Sequence, residues 1–242
     1  MKLIKLDAID STNDFLKRIA ALPDVENFTV LTTENQTNGK GQMGQKWDSE
    51  TGKNLIMSVF VKNFIVDVSQ VFHLNIAFSL AVIAVLESFK VPELSIKWPN
   101  DIMSYQKKIG GILIENTFKG DGTIYSVVGL GLNVNQTTFA NLPKASSLAV
   151  VCQRDFDRDV VLQLIVEKLK QMLLNWMDKQ SFFWSTYTDL LFKKDTPMPF
   201  SSQNGSHFMG IIRGVSSVGK LQVLLEDDNM EEFDIKEIQL LY

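Results

Sequence analysis

Cysteine is nearly absent from this chain. Cys152 stands alone among 242 residues, accompanied by only two histidines, His73 and His207. A single thiol cannot close an internal disulfide, which fits a reducing compartment and a cytoplasmic protein. One Cys and two scattered His exclude a metal cluster of zinc type, and neither histidine sits in a context that would activate Cys152 as a nucleophile. Basic charge is also short: 24 Lys and Arg face 28 Asp and Glu, a net charge of −4. That balance argues against a general electrostatic grip on nucleic acid. Uninterrupted apolar runs are missing. The longest, Val71 to Phe89, contains His73, Asn75, Ser79 and Glu87, which reads as a buried core helix rather than a membrane span. The N-terminus lacks a signal peptide's apolar segment, and Met1 to Asp7 alternates as a short strand.

What is present is an ordinary globular composition, 45% hydrophobic and 21% charged, enough to bury a full core. Length suggests one large domain plus a small one. After Asp195-Thr196-Pro197 the texture changes. Residues 198–242 alternate and carry turn signals at Asn204-Gly205, Gly219 and Asp227-Asp228-Asn229. This predicts a small all-β unit of roughly five strands, and a division of the chain into 1–194 and 195–242.

Within the larger part, Asp10-Ser11-Thr12-Asn13 precedes an amphipathic helix that Pro23 and Asp24 end. Capping explains one or two of these polar residues; the others would project from a helix N-terminus, where an anion or carbonyl is welcome. A strand is expected over 29–32 and another over 54–61. Between them lies a polar stretch, Glu34 to Trp47, holding Gly39, Gly41 and Gly44. Glycine lets a ligand approach the backbone, and successive free N–H groups can form an anion-binding nest. Lys40 and Lys46 add charge and Trp47 an aromatic face. Residues 69–89 read as a core helix. A short strand then runs into Lys97-Trp-Pro-Asn-Asp101, where Pro99 fixes the turn that delivers Lys97, Asn100 and Asp101. Residues 105–108 read as a hairpin turn, followed by a strand opening on Ile109-Gly110-Gly111. A Gly-Gly pair in a strand marks the close approach of a ligand or another backbone. Ile124 to Leu132 is an apolar strand with Gly129 and Gly131, ending in Asn133-Val134-Asn135. Asp157 caps a helix to about Met177 whose apolar face is Leu162, Leu164, Ile165, Leu169, Met172, Leu173 and Trp176, and a second helix spans 181–192.

Several segments agree, in order, with one family: Asp10-Ser-Thr-Asn13, Glu34-Asn-Gln36, Gly39-Lys-Gly-Gln-Met-Gly-Gln-Lys-Trp47, Lys97-Trp-Pro-Asn-Asp101, Lys108-Ile-Gly-Gly-Ile-Leu-Ile-Glu115 and Gly129-Leu-Gly-Leu-Asn-Val-Asn135. The chain resembles the catalytic region of biotin–protein ligases, and Gly210-Ile-Ile-Arg-Gly214 with Gly219-Lys-Leu fits that family's small SH3-like barrel. The resemblance implies an α+β fold of class II synthetase type, with a mixed, mostly antiparallel sheet flanked by helices. It implies two steps: biotin and MgATP give biotinyl-5′-AMP and pyrophosphate, and a lysine of a biotin carboxyl carrier protein then takes the biotinyl group. In family terms Lys108 touches biotin and the reacting phosphate, with Lys97 as a further cation and Asp101 orienting the reacting groups. Ser11, Thr12, Asn13 and Gln36 would hydrogen-bond the biotin rings. Lys40, Gly41 and Gln42 would meet the carboxylate and phosphate. Trp47 would stack on adenine, with Asn100 and Asn133 on the nucleotide side and Gly110, Gly129 and Gly131 as a low floor. Mg²⁺ would ride on the ATP phosphates rather than on protein ligands.

Two departures from the family pattern stand out. Its loop commonly reads Gly-Arg-Gly-Arg-x-Gly, whereas here Lys40 and Gln42 hold the arginine positions, so the adenylate is expected to be held less tightly. The chain also begins at the catalytic strand with no helix-turn-helix before it, which predicts no operator DNA binding. No membrane partner is expected, and homodimer formation is left open. The alternatives are a lipoate–protein ligase or octanoyl transferase of the same fold, or a non-catalytic biotin-binding sensor.

Overall fold

A computed structural model describes residues 2–20, 22, 25–140 and 142–242; Pro23 and Asp24, expected to end the first helix, lie outside the described residues. The larger sheet is built from β1 (Leu3–Ile9), β2 (Val30–Gln36), β3 (Leu55–Lys62), β4 (Leu94–Lys97), β5 (Asp101–Ser104), β6 (Lys107–Phe118) and β7 (Ile124–Leu132). Their spatial order is β1-β2-β3-β7-β6-β5-β4, and only β1 and β2 pair in parallel. Side chains alternate across the sheet, so each strand feeds two layers. Val30, Val59, Val61 and Val128 join a large core on one face, while Leu31, Phe60, Tyr125 and Val127 join a small cluster on the other.

The small cluster is covered by α1 (Thr12–Ala20), whose Leu16 and Ala20 are buried there. Full burial of Leu16 contributes about 2 kcal/mol. This helix is short and covers only the end of the face near Phe60 and Val127. The uncovered remainder, toward Ile56 and Gly131, is the floor of the site described below. The opposite face carries α2 (Val71–Ser88), buried from Leu74 to Leu86 nearly all round, with α4 (Arg158–Leu174) and α5 (Trp176–Asp189) packed on it. The segment Val68–Ser88 is long and apolar enough to cross a membrane, yet here it is the inner layer of the core. A short α3 (Leu148–Cys152) is capped by the Ser147 hydroxyl.

Several boundaries differ from expectation. Strand β2 runs on through Gln36 rather than ending at Thr32, because β1 pairs with its polar half, Ala8 with Asn35 and Ile9 with Gln36. Backbone pairing here overrides the weak strand propensity of Glu, Asn and Gln. The turn before β6 is only Tyr105-Gln106, so Lys108 is a strand residue. Asp157 does cap α4, accepting from the N–H groups of Asp159 and Val160. Leu164 is 40% exposed, because it lies one residue, about 100° of helical turn, away from the buried Ile165 and Val161 stripe. Trp176 is buried but opens α5, which starts well before Ser181.

The second sheet comprises β8 (Pro197–Ser202), β9 (His207–Val215), β10 (Leu221–Leu225), β11 (Met230–Phe233) and β12 (Ile238–Leu240), all antiparallel in the order β11-β10-β9-β8-β12. It is held against the larger part by Gly219. Its carbonyl accepts from Trp98 Nε1 at 2.9 Å, and a Cβ there would lie 2.3 Å from the Phe72 ring. Only glycine, at φ +90°, permits that approach.

Candidate active site

Strand register decides which glycines form a floor. Gly129 pairs with Ser58 and Leu113, and Gly131 with Ile56 and Gly111, so these residues share the face that α1 leaves uncovered. Gly110 pairs with Leu132 and points the other way, where a Cβ would press on Leu132 Cδ1 at 3.0 Å in the core. Each floor glycine makes room for one functional side chain. A Cβ on Gly129 would lie 2.4 Å from Asn13 Oδ1, one on Gly131 would lie 2.3 Å from Trp47 Cε2, and one on Gly111 would press on Lys108 Cε and Nζ at 3.3 Å.

The N-terminus of α1 supplies an uncharged polar wall. The Thr12 backbone N–H and hydroxyl both donate to Gln36 Oε1, at 2.8 and 3.0 Å. This fixes the Gln36 amide and leaves its NH₂ as the outward donor. Ser58 Oγ lies 2.8 Å from Thr12 Oγ1 and 2.6 Å from Asn13 Oδ1. Asn13 Nδ2 donates to Glu115 Oε2 at 2.8 Å, and Lys17 Nζ donates to Glu115 Oε1 at 2.6 Å. Ser11, Thr12 and Asn13 are all buried, so this wall is rigid before any ligand arrives.

The glycine-rich stretch is a folded hairpin rather than an open loop. Trp47 N–H donates to Gly39 O at 3.0 Å, Gly41 N–H to Gln45 O at 2.7 Å, and Lys40 bridges Lys46. A 3₁₀ turn at Gln42–Gly44 forms its tip, with Met43 and Gly44 at positive φ. Lys40 Nζ lies 2.5 Å from Asp14 Oδ2. Burial tends to raise the Asp14 pKa, but the Lys40 and Lys17 ammonium groups outweigh it and hold the carboxyl below its ordinary value. Trp47 Nε1 is buried with no hydrogen-bond partner among the described residues.

At the β5–β6 end Lys108 Nζ lies 2.6 Å from Asp101 Oδ1, and Lys97 Nζ lies 3.7 Å from Oδ2. Asn100 Nδ2 donates to Ile112 O at 2.6 Å, bracing this turn against β6.

These parts enclose a cavity of about 210 Å³. Of the residues singled out in the sequence, Ser11, Thr12, Asn13, Gln36, Lys40, Gly41, Gln42, Trp47, Asn100, Asp101, Lys108, Gly129 and Gly131 line it together. Three do not. Gly110 faces the core. Asn133 is buried and donates to Ser146 O at 2.9 Å. Lys97 opens onto an adjacent cleft bordered by the second sheet, with its Nζ 5.5 Å from the Tyr242 ring. Gly111, the second glycine of the pair expected to mark a close approach, lines the cavity; Leu113, Ile56 and Gln45 line it without having been assigned a role from the sequence, while Ser58 and Glu115 support the wall from beneath. Once the register against Gly129 is fixed, alternation along β3 and β6 places Ser58, Leu113 and Glu115 on the same face. Cys152 lies elsewhere on α3, its thiol pKa pushed up by burial, with Arg154 opposing.

Residues 6–133, which carry the wall, the hairpin, the lysine–carboxylate pair and the floor, match the sequence model of the Biotin/lipoate A/B protein ligase family. The chain belongs to that family. It is 30% identical over 215 residues to the biotin–[acetyl-CoA-carboxylase] ligase of Mycobacterium tuberculosis, covering 87% of this chain and 79% of that relative. It is 28% identical over 227 residues to the bifunctional ligase/repressor BirA of Bacillus subtilis, covering 90% of this chain and 68% of BirA. Among solved structures it is similar to the biotin protein ligase of Aquifex aeolicus in complex with biotin and ATP, with TM-score 0.81, 26% identity, and coverage of 99% and 98% of the two chains. The biotin protein ligase of Leishmania major shares the fold at TM-score 0.67 and 22% identity. The mixed, mostly antiparallel sheet with flanking helices and a small C-terminal β unit is therefore the biotin ligase fold.

Proposed function

We propose that this chain is an ATP-dependent biotin–[acetyl-CoA-carboxylase] ligase whose active centre is the glycine-floored cavity. One observation carries the reading: a rigid uncharged wall suited to a ureido ring and a lysine–carboxylate pair suited to a reacting anhydride open into the same small space. Residues 1–194 would hold biotin and ATP, and residues 195–242 would form the small β unit beside them.

In the first step a biotin carboxylate oxygen attacks the α-phosphorus of ATP, a P–O bond forms, and the bond to the bridging oxygen breaks to release pyrophosphate. Two anions must meet, so a cation has to stand between them. Lys108 is that cation, and Asp101 fixes its position. Mg²⁺ enters as part of the MgATP substrate, on the phosphates; among the described residues no cluster of three or more His, Cys, Asp or Glu could hold a metal. Ser11, Thr12, Asn13 and Gln36 orient the biotin rings, and Trp47 offers adenine a stacking face. In the second step the carrier lysine amine attacks the anhydride carbonyl. The C–N bond forms, AMP leaves, and Asp101 is the nearby carboxylate for the departing proton. The hairpin over the site excludes water that would hydrolyse the adenylate.

The partner is the biotin-acceptor domain of a carboxylase, and the lone cysteine fits a cytoplasmic setting. The deciding experiment is mass spectrometry of a biotin-acceptor domain after incubation with this protein and MgATP, with biotin in one arm and lipoate in the other. The reading expects one biotinyl group on one lysine. Lipoyl transfer, or biotin binding without any transfer, overturns it.

A further inference from the structure

We propose that Asp14, which does not line the cavity, is a positioning residue for the glycine-rich hairpin, acting through Lys40. The inference rests on the ligase reading. Asp14 sits on α1, one turn beyond Ser11. Its two oxygens are divided between lysines from different parts of the chain, Oδ1 to Lys17 Nζ at 3.0 Å and Oδ2 to Lys40 Nζ at 2.5 Å. Lys17 continues to Glu115 Oε1 at 2.6 Å, and Glu115 Oε2 receives the Asn13 amide at 2.8 Å. A continuous path, Lys40–Asp14–Lys17–Glu115–Asn13, thus ties the hairpin to the wall that orients the ligand.

Asp14 is only 21% exposed and Lys17 and Glu115 29%, so the contacts among these three are less screened than ordinary surface pairs, while Lys40 at 43% keeps the Lys40–Asp14 pair partly in solvent. Lys40 stands in the cavity lining at the mouth, and its ammonium has Asp14 as its carboxylate partner. Asp14 therefore decides where that charge stands and anchors the strand of the hairpin that leads to Gln42.

Two roles for Asp14 make opposite predictions. If it acted only as a negative charge near an anion site, replacing it would leave the site more positive and hold the anionic adenylate more tightly. If it positions Lys40, replacing it loosens the hairpin and the adenylate escapes faster. The test compares Asp14→Asn, Asp14→Glu, Lys40→Met and the Asp14→Asn/Lys40→Met double variant. Hydrogen exchange of residues 37–47 is measured in the free protein, and loss of biotinyl-AMP is followed after a chase. The expected result is roughly two- to five-fold faster exchange and loss in Asp14→Asn, matched by Lys40→Met, with the double variant no worse than either single and Asp14→Glu partly restored. Wild-type exchange in Asp14→Asn, tighter retention, or additive effects in the double variant would each overturn the proposal. If the wild type forms no biotinyl-AMP, the ligase reading fails, while the exchange data still decide the anchoring role.

Discussion

The Lys108 ammonium stands 2.6 Å from Asp101 Oδ1, reaching it along the sheet face over Gly111. A β-bulge in β6 at Ile109, where the register shifts opposite Ile102 and Met103, lets Lys108 pair opposite Met103 while Gly111 pairs opposite Asp101. The contact therefore depends on backbone register as much as on charge. Lys108→Ala is expected to lower adenylate formation by about 10²- to 10³-fold, the usual cost of losing one preorganised electrostatic group. Lys108→Arg should restore part of it. Pyrophosphate release dependent on biotin measures this directly, and unchanged carrier biotinylation in Lys108→Ala would refute the assignment.

The floor glycines should separate the two ligands. In Gly129→Ala the new methyl would collide with Asn13 Oδ1 at 2.4 Å, displacing the wall. In Gly131→Ala it would collide with the Trp47 ring at 2.3 Å, lifting the indole. The first should weaken biotin binding about ten-fold or more, a loss of about 1.4 kcal/mol, and leave ATP binding nearer normal; the second should do the reverse. Calorimetric titration of each ligand against each variant gives the answer, and equal loss of both ligands in both variants would sink the distinction.

The same geometry explains what could be read from the sequence. Glycines and polar residues gathered at strand ends were visible, and so was the change to a β unit after Pro197. Which of Gly110 and Gly111 faces the ligand was not, since a one-residue step flips the face and only the pairing with Gly131 sets it. Gln36 looked like part of the loop because nothing local announces that β1 pairs alongside it. The family resemblance puts Asn133 on the nucleotide side, and nothing in the sequence announces its partner, the Ser146 carbonyl, which lies in a connection with no periodic signal. Asp14 carries no signal in the sequence beyond opening an amphipathic helix, and its link to Lys40 spans a fold that sequence spacing does not reveal.

His73 should make the fold acid-sensitive. Its ring packs between Trp176, at 5.1 Å between centroids, and Trp184, at 6.1 Å. Burial lowers its pKa below the ordinary 6.5. The unfolded chain then binds a proton at a pH where the folded chain does not, so stability is present above 6.5 and is lost as pH falls through the folded value. Thermal melting between about pH 8 and about pH 5 should show a decline that is smaller in His73→Phe. An identical slope in the two proteins would assign the acid sensitivity elsewhere.

Gln42 tests whether neutrality at the hairpin tip limits retention of the intermediate. It lines the cavity and opens the 3₁₀ turn, but the positive-φ positions are Met43 and Gly44, so an exchange at residue 42 leaves the turn intact. Of the lysines lining the cavity, Lys40 is engaged with Asp14 and Lys108 with Asp101, while Lys46 sits on the returning strand of the hairpin. An added guanidinium would therefore bring charge that no neighbouring carboxylate has taken up. A charge-assisted hydrogen bond to an anion contributes about 1.5–3 kcal/mol, so Gln42→Arg should slow biotinyl-AMP release by about ten-fold or more. The release rate after an unlabelled chase measures it, with hydrogen exchange over residues 37–47 checking that the hairpin is unchanged. Equal release from Gln42→Arg and wild type would show that the hairpin's closure, and not its charge, sets how long the adenylate stays.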